Sequence, residues 1–174
     1  CQIVADLLAV EERLGRTADG TRWAWVGDGN NVCNSIIDAA GLLGFSLTVA
    51  CPAGYEPDPG FVADAVARGA DIRILREPDE AAAGADVVVT DTWVSMGDTD
   101  VAERQAAFTR YQVNEALMAK AGANALFLHC LPAHRGEEVT DAVLDGPQSA
   151  AWEDAANRVH AQKALLLWAL GRLG

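Results

Sequence analysis

Trp23-Ala24-Trp25-Val26-Gly27-Asp28-Gly29-Asn30-Asn31-Val32 runs from a short apolar block through two glycines into two asparagines. The block reads as a strand stopped by Gly27 and Gly29, and Asn31 to Leu43 reads as a helix ended by Gly44. A strand that turns through glycines into a helix is the opening unit of a doubly wound α/β sheet. A dinucleotide fingerprint occupies the same position. Here, however, Val32 replaces its third glycine, and the second strand ends Val49-Ala50-Cys51 without a carboxylate for a ribose hydroxyl. Both departures argue against NAD. What is left is a helix N-terminus whose backbone N–H groups suit a carboxylate, with Asn30 and Asn31 beside it. One of the two asparagines is expected to be a plain N-cap.

Outward from this unit the rhythm repeats. Phe45 to Ala50 is a second strand stopped by Pro52. Asp58-Pro59 is an N-cap followed by a first-turn proline, opening a helix that runs to Gly69. Ile72 to Leu75 is a third strand, Pro78 to Ala83 a short alanine-rich helix, and Asp86 to Thr90 a fourth strand. Asp100-x-x-Glu103 has the pattern of a capping box, and Ala125 to His129 is a fifth strand. The apolar runs do not alternate, so the strands should be buried on both faces. The expected fold is α/β: a three-layer, Rossmann-like, parallel five-stranded sheet with helices on both faces, one domain spanning residues 1–174. The two ends stand outside this sheet. Ile3, Val4, Leu7, Leu8 and Leu14 form one helical stripe ended by Gly15. The last helix, Trp152 to Leu170, becomes apolar all round from Ala164 onward, and such a helix calls for burial on every side. Its cover is either this domain's own core or something outside these residues.

Composition narrows the function. Hydrophobic residues are 51% and charged residues 22% of the 174, an ordinary globular balance. A formal net charge of -12 excludes nucleic acid and anionic membrane surfaces as natural partners. The four cysteines form no CxxC pair, and the three histidines show no zinc spacing with them, so no metal is expected. No signal-peptide pattern and no membrane-length apolar run is present, which together with the free-cysteine pattern suggests a reducing cytoplasm.

Ligands of parallel α/β sheets sit beyond the carboxyl ends of the strands. Two segments there carry chemistry. In Asp91-Thr92-Trp93-Val94-Ser95-Met96-Gly97, a helical start would place Asp91 and Ser95 on one face. A carboxylate and a hydroxyl so placed can hold an ammonium group; a second capped turn reads equally well. Gly97 permits a mobile loop. In His129-Cys130-Leu131-Pro132 a thiol sits where a ligand would be, although a lone cysteine is more often a small core residue. Pro132 fixes the turn and allows a cis peptide before it.

Taken together, Val26-Gly-Asp-Gly-Asn-Asn-Val32, Asp91-Thr-Trp-Val-Ser-Met-Gly97 and His129-Cys-Leu-Pro-Ala-His-Arg-Gly-Glu-Glu138 closely resemble the ornithine carbamoyltransferases. The aspartate carbamoyltransferases have His-Pro-Leu-Pro and no Ser-Met-Gly. The resemblance implies transfer of a carbamoyl group from carbamoyl phosphate to the side-chain amine of L-ornithine, giving citrulline and phosphate without metal or organic cofactor. It implies that Asn31 binds the ornithine carboxylate end, that Asp91 and Ser95 take the α-ammonium, and that Met96 supplies backbone and cover. Cys130 and the Leu131 backbone would lie beside the reacting amine and the carbamoyl phosphate, and Gln2 and Arg158 would hold carbamoyl phosphate. Cys130 and Arg158 are the expected catalytic groups. A lysine-like amine has a reference pKa of about 10.4, and a Cys130 thiolate could align it and influence its proton. The resemblance further implies a carbamoyl-phosphate domain with a Ser-Thr-Arg-Thr motif that these residues lack. Residues 1–15 and 152–172 would be the helices joining the two, in a homo-oligomer, typically a trimer. Two other readings stay open. One is a carbamoyltransferase for a related amine such as putrescine or a modified ornithine, against which the Asp91/Ser95 pair argues. The other is a non-catalytic amino-acid-binding module.

Overall fold

The computed structural model describes residues 1–95, 97 and 99–172. Five parallel strands, β1 (Arg22–Val26), β2 (Ser46–Ala50), β3 (Ile72–Leu75), β4 (Val87–Thr90) and β5 (Leu126–His129), form one sheet in the order β3-β2-β1-β4-β5. The chain winds one way from β1 to β3 and the other way through β4 and β5, so the order reverses between β1 and β4. Trp25 pairs with Val49 on one side and Val89 on the other. This α/β, Rossmann-like architecture is the one expected, and each strand lies within a residue of its expected bounds.

Helices cover both faces. α1 (Gln2–Leu14), α2 (Asn31–Leu43) and α3 (Pro59–Ala67) bring Ala9, Val10, Ile36, Ile37 and Ala65 against Trp23, Trp25, Leu47, Val49, Val87 and Leu128. On the other face α4 (Pro78–Ala82), α5 (Val101–Phe108), α6 (Glu115–Met118) and α7 (Asp141–Leu144) pack Ala82, Phe108, Leu117, Val143 and Leu144 against Ala24, Val26, Val88 and Phe127. Successive strand residues feed opposite cores, which is why the strands read as continuous apolar runs. α6, α7 and a single 3-10 turn at Thr109–Tyr111 have too few turns to show a helical period in sequence.

Helix ends follow their local chemistry. Asn30 caps α2, its side-chain oxygen accepting the Val32 and Cys33 N–H groups at 2.9 and 3.1 Å. Gly15 closes α1 at φ 67 and Gly44 closes α2 at φ 78. Asp58 accepts the Gly60 N–H at 2.7 Å ahead of α3. The expected capping box at Asp100 does not form: the Asp100 side chain makes no cap hydrogen bond, and its backbone (φ -96, ψ 34) is away from the extended geometry of a box.

α8 (Ala151–Ala169) packs along α1 and touches β5. Its first turns bury Ala151, Asp154 and Asn157, and Asn157 Nδ2 donates to Glu12 on α1 at 2.9 Å. Its last turns leave the body of the domain: Leu166, Trp168 and Leu170 are 65%, 71% and 71% exposed. The alternative in which this segment fills the domain's own core is thereby overturned. No helix among the described residues is long and apolar enough to cross a membrane.

Candidate active site

The crevice where the strand order reverses is built from the carboxyl ends of β1 and β4. Gly27 turns the chain out of β1 at φ 143, a conformation that side chains rarely adopt. Gly29 is needed for a different reason. A Cβ there would lie 2.2 Å from Pro57 N, and the Gly29 N–H donates to Tyr55 O at 2.9 Å. The second glycine is therefore covered by the chain itself rather than open to a pyrophosphate. Asn30 then joins the two strand ends: its Nδ2 donates to Asp91 Oδ2 at 2.8 Å while its Oδ1 caps α2. Because Asn30 already takes the Val32 and Cys33 N–H groups, the helix terminus has fewer free donors for a carboxylate than its sequence suggested.

Asp91 is held on three sides. Besides Asn30, the Thr92 N–H donates to Oδ1 at 2.8 Å and the Cys130 thiol donates to the same oxygen at 3.0 Å. Burial, then the adjacent Asp91 charge, pushes the Cys130 thiol well above the ordinary thiol range. Cys130 is therefore a protonated donor, and the thiolate role expected from sequence is corrected. The expected helical start at Asp91 is corrected too: residues 91–95 lie outside any helix, and the Ser95 side chain is exposed. Met96 lies outside the described residues.

The following loop is pinned by a residue that sequence reading missed. Buried Arg104 of α5 donates from Nε to Trp93 O at 2.7 Å, pairs with Asp28, and lies over the Tyr55 ring at 4.9 Å. Its position four residues into a helix, among exposed neighbours, gives no hint of this from sequence.

A cavity of about 340 Å³ is lined by Cys1, Gln2, Asn31, Val32, Ser35, Cys130, Leu131 and Arg158. It brings together five of the expected site residues from four separate parts of the chain: Gln2, Asn31, Cys130, Leu131 and Arg158. Asp91 stands behind this wall, reached through Cys130, and Ser95 is not among the lining residues. Leu131 has φ 53, and the peptide to Pro132 is cis. At the cavity floor Arg158 Nη1 donates to Gln2 Oε1, and Gln2 Nε2 donates to Asp6 Oδ1 at 2.8 Å and Asp154 Oδ2 at 2.7 Å. Both ends of the Gln2 amide are thus engaged, which makes it a brace for Arg158 in this state. Burial lifts both carboxyls, that of Asp154 to about 6, and the Asp154 charge lifts Asp6 further. A carboxyl on the buried face of α1, at Asp6 among Ile3, Leu7 and Val10, was a visible sequence signal of such a network.

Donor atoms of Asp91, His129 and Cys130 lie within 4.8 Å of one another, as do those of His134, Glu137 and Glu138. In the first group the thiol proton already serves Asp91, and His129 Nδ1 already accepts the Leu131 N–H at 2.9 Å. A cation there would have to displace both hydrogen bonds.

The fold and the crevice define a doubly wound α/β ligand-binding domain with a polar pocket at its topological switch point. The profile of the aspartate/ornithine carbamoyltransferase Asp/Orn-binding domain matches residues 19–169, and the chain belongs to that family. It is 59% identical over 174 residues to an ornithine carbamoyltransferase of Rhizorhabdus wittichii, and 58% identical over 174 residues to one of Caulobacter vibrioides. In both cases all of this chain aligns with 56% of the relative, so the chain spans about half the length of the curated relatives it matches. The solved ornithine carbamoyltransferase from Pyrococcus furiosus superposes with a TM-score of 0.89 at 45% identity, covering 96% of this chain and 55% of that one.

Proposed function

We propose that this chain is the ornithine-binding part of an ornithine carbamoyltransferase, which transfers the carbamoyl group of carbamoyl phosphate to the side-chain amine of L-ornithine. The observation that carries the reading is the single cavity where Asn31, Cys130, Leu131, Gln2 and Arg158 meet, with Asp91 immediately behind it. The relatives' names supply the reaction, and the residues suit it. Asp91 keeps its oxygens oriented by three donors, so an α-ammonium would meet a preorganised acceptor. Asn31 lines the cavity at the first turn of α2, on the side suited to the ornithine carboxylate. Arg158, braced by Gln2, would face the phosphate and the oxygen on which charge develops. Cys130, as a thiol, would orient the attacking amine by contact; the amine's proton would leave to solvent or phosphate. Ser95 and Met96 would close over the amino acid from the 91–97 loop.

The homo-oligomer and the cytoplasmic location expected from the sequence belong to the same proposal. The test is phosphate release from carbamoyl phosphate by the whole protein with ornithine, putrescine or N-acetylornithine as the amine. Preference for ornithine by at least a hundredfold in kcat/KM is expected, and equal use of putrescine would overturn the α-ammonium assignment.

A further inference from the structure

His129 ends β5 with its ring fully buried, and Glu138, nine residues on, is fully buried as well. The Leu131 backbone N–H donates to His129 Nδ1 at 2.9 Å. A ring nitrogen that accepts a hydrogen bond carries no proton, so the imidazole proton resides on Nε2. Nε2 lies 3.3 Å from Glu138 Oε1, and that oxygen also accepts the His134 backbone N–H. The pair lies within ion-pair distance but outside hydrogen-bond geometry, and among the described residues buried Nε2 has no hydrogen-bond partner, so the Glu138 carboxylate is the charge it faces. The opposite tautomer would set Nδ1–H against the Leu131 N–H and leave an Nε2 lone pair against a carboxylate, a mismatch at both ends of the ring. A carboxylate at 3.3 Å attracts an Nε2 proton and repels an Nε2 lone pair, so the Glu138 charge, together with the Leu131 N–H at the other nitrogen, selects the tautomer.

The ring in turn holds a backbone that needs holding. Leu131 is the described non-glycine residue with positive φ, at 53. Such a conformation persists only where its surroundings impose it. Cys130 and Leu131 form one wall of the cavity.

We propose that Glu138 is a positioning residue for the substrate pocket, keeping the His129 proton on Nε2 so that Nδ1 anchors the Leu131 N–H and fixes the Cys130-Leu131 wall. That this wall faces a substrate rests on the function proposed above; the tautomer and the anchor do not.

The experiment is two-bond ¹H–¹⁵N correlation of the histidine rings in the ¹⁵N-labelled chain. The three histidines are assigned with His134→Gln and His160→Gln variants. Wild type should show His129 as the pure Nε2–H form, with the Leu131 amide protected from exchange. Glu138→Met, which removes the carboxylate, should populate the Nδ1–H form and speed Leu131 amide exchange at least tenfold. Glu138→Gln, whose side-chain carbonyl oxygen still attracts an Nε2 proton, should restore the wild-type pattern. A wild-type His129 found as Nδ1–H or as imidazolium overturns the proposal even if Glu138→Met does not fold. So does a folded Glu138→Met chain with unchanged tautomer and Leu131 protection. Turnover of the whole protein is a separate arm: at least a tenfold fall in kcat for Glu138→Met with recovery in Glu138→Gln is expected. Absence of citrulline formation by wild type would sink the functional reading while leaving the ring measurement decisive for Glu138.

Discussion

Cys130 shows how far a residue's type can mislead about its state. A thiol beyond the end of a strand reads as a nucleophile or a thiolate, yet burial and Asp91 both favour its protonated form. At pH 8 its thiolate fraction should therefore fall below that of an ordinary thiol. Iodoacetamide should alkylate Cys130 at least tenfold more slowly than exposed Cys1, as peptide mass mapping would read. Comparable rates would show that the thiol is not held as the structure has it. Asp91→Ala, in the whole protein, removes a charge-assisted partner worth about 1.5–3 kcal/mol. A 10- to 100-fold loss in kcat/KM for ornithine is expected, with carbamoyl phosphate affinity nearly unchanged. Asp154 offers a pH test. Its folded pKa of about 6 stands above the ordinary 3.8 of an aspartate, so between those values the folded state binds more protons than the unfolded one. Stability from this group is present below about pH 4 and is lost as pH rises through 6. Asp154→Asn removes that loss and keeps an acceptor for Gln2. It should stabilise the chain at pH 7.5 by on the order of 2 kcal/mol and by much less at pH 4.5, measured by urea unfolding. Equal effects at the two pH values would rule out the raised carboxyl.

At the level of elements, β1 to β5 and the long helices were legible because each carries its own signal: an apolar run, a glycine stop, an Asp-Pro start. The elements that assemble the site were less so. Whether residues 91–95 are helical depends on Arg104 taking the Trp93 carbonyl and on Asn30 taking Asp91, contacts between residues 11 and 61 positions apart. That Gln2, Asn31, Cys130, Leu131 and Arg158 share one cavity was foreshadowed by family resemblance alone, since no local pattern ties Gln2 to Arg158 across 156 positions. Asn30 is where local and distant roles meet, as α2 cap and Asp91 tether. Asn30→Ala should cost about 1 kcal/mol through the cap alone and should loosen Asp91 as well, whereas Asn30→Asp keeps the cap but sets two carboxylates together. α8 presents the opposite problem, an apolar pattern that the described residues leave uncovered at its end. Leu166, Trp168 and Leu170 stand exposed, and large apolar side chains left in water around one helix end favour association. Sedimentation of the chain should show self-association at tens of micromolar, reduced by Leu166→Glu with Trp168→Ser. A clean monomer with native fluorescence of an exposed Trp168 would show this surface to be tolerated.

For the molecule as a whole, the pocket's charges set a limit on what these residues do by themselves. Carbamoyl phosphate is an anion, and Arg158 is the one cationic side chain lining the cavity among the described residues, already partly committed to Gln2. The charges of Asp91 and Asp154 bear on Cys130 in the same cavity wall, in a chain of net charge -12. That surrounding suits the ammonium ends of ornithine and repels a phosphate. Reaction requires both substrates held in line, a positioning worth roughly 7–11 kcal/mol of barrier, and the carboxylates work against one of the two. Residues 1–174 alone should accordingly form citrulline at less than a thousandth of the rate of a protein in which the remaining half of the relatives' length is supplied. Ornithine at millimolar concentration should still shift the amide resonances of Asn31, Asp91 and Leu131. A colorimetric citrulline assay run in parallel on the chain and on the whole protein decides the first point. Comparable turnover by the chain would mean that Arg158 suffices to hold carbamoyl phosphate against the charges of Asp91 and Asp154, and that the charge argument is wrong.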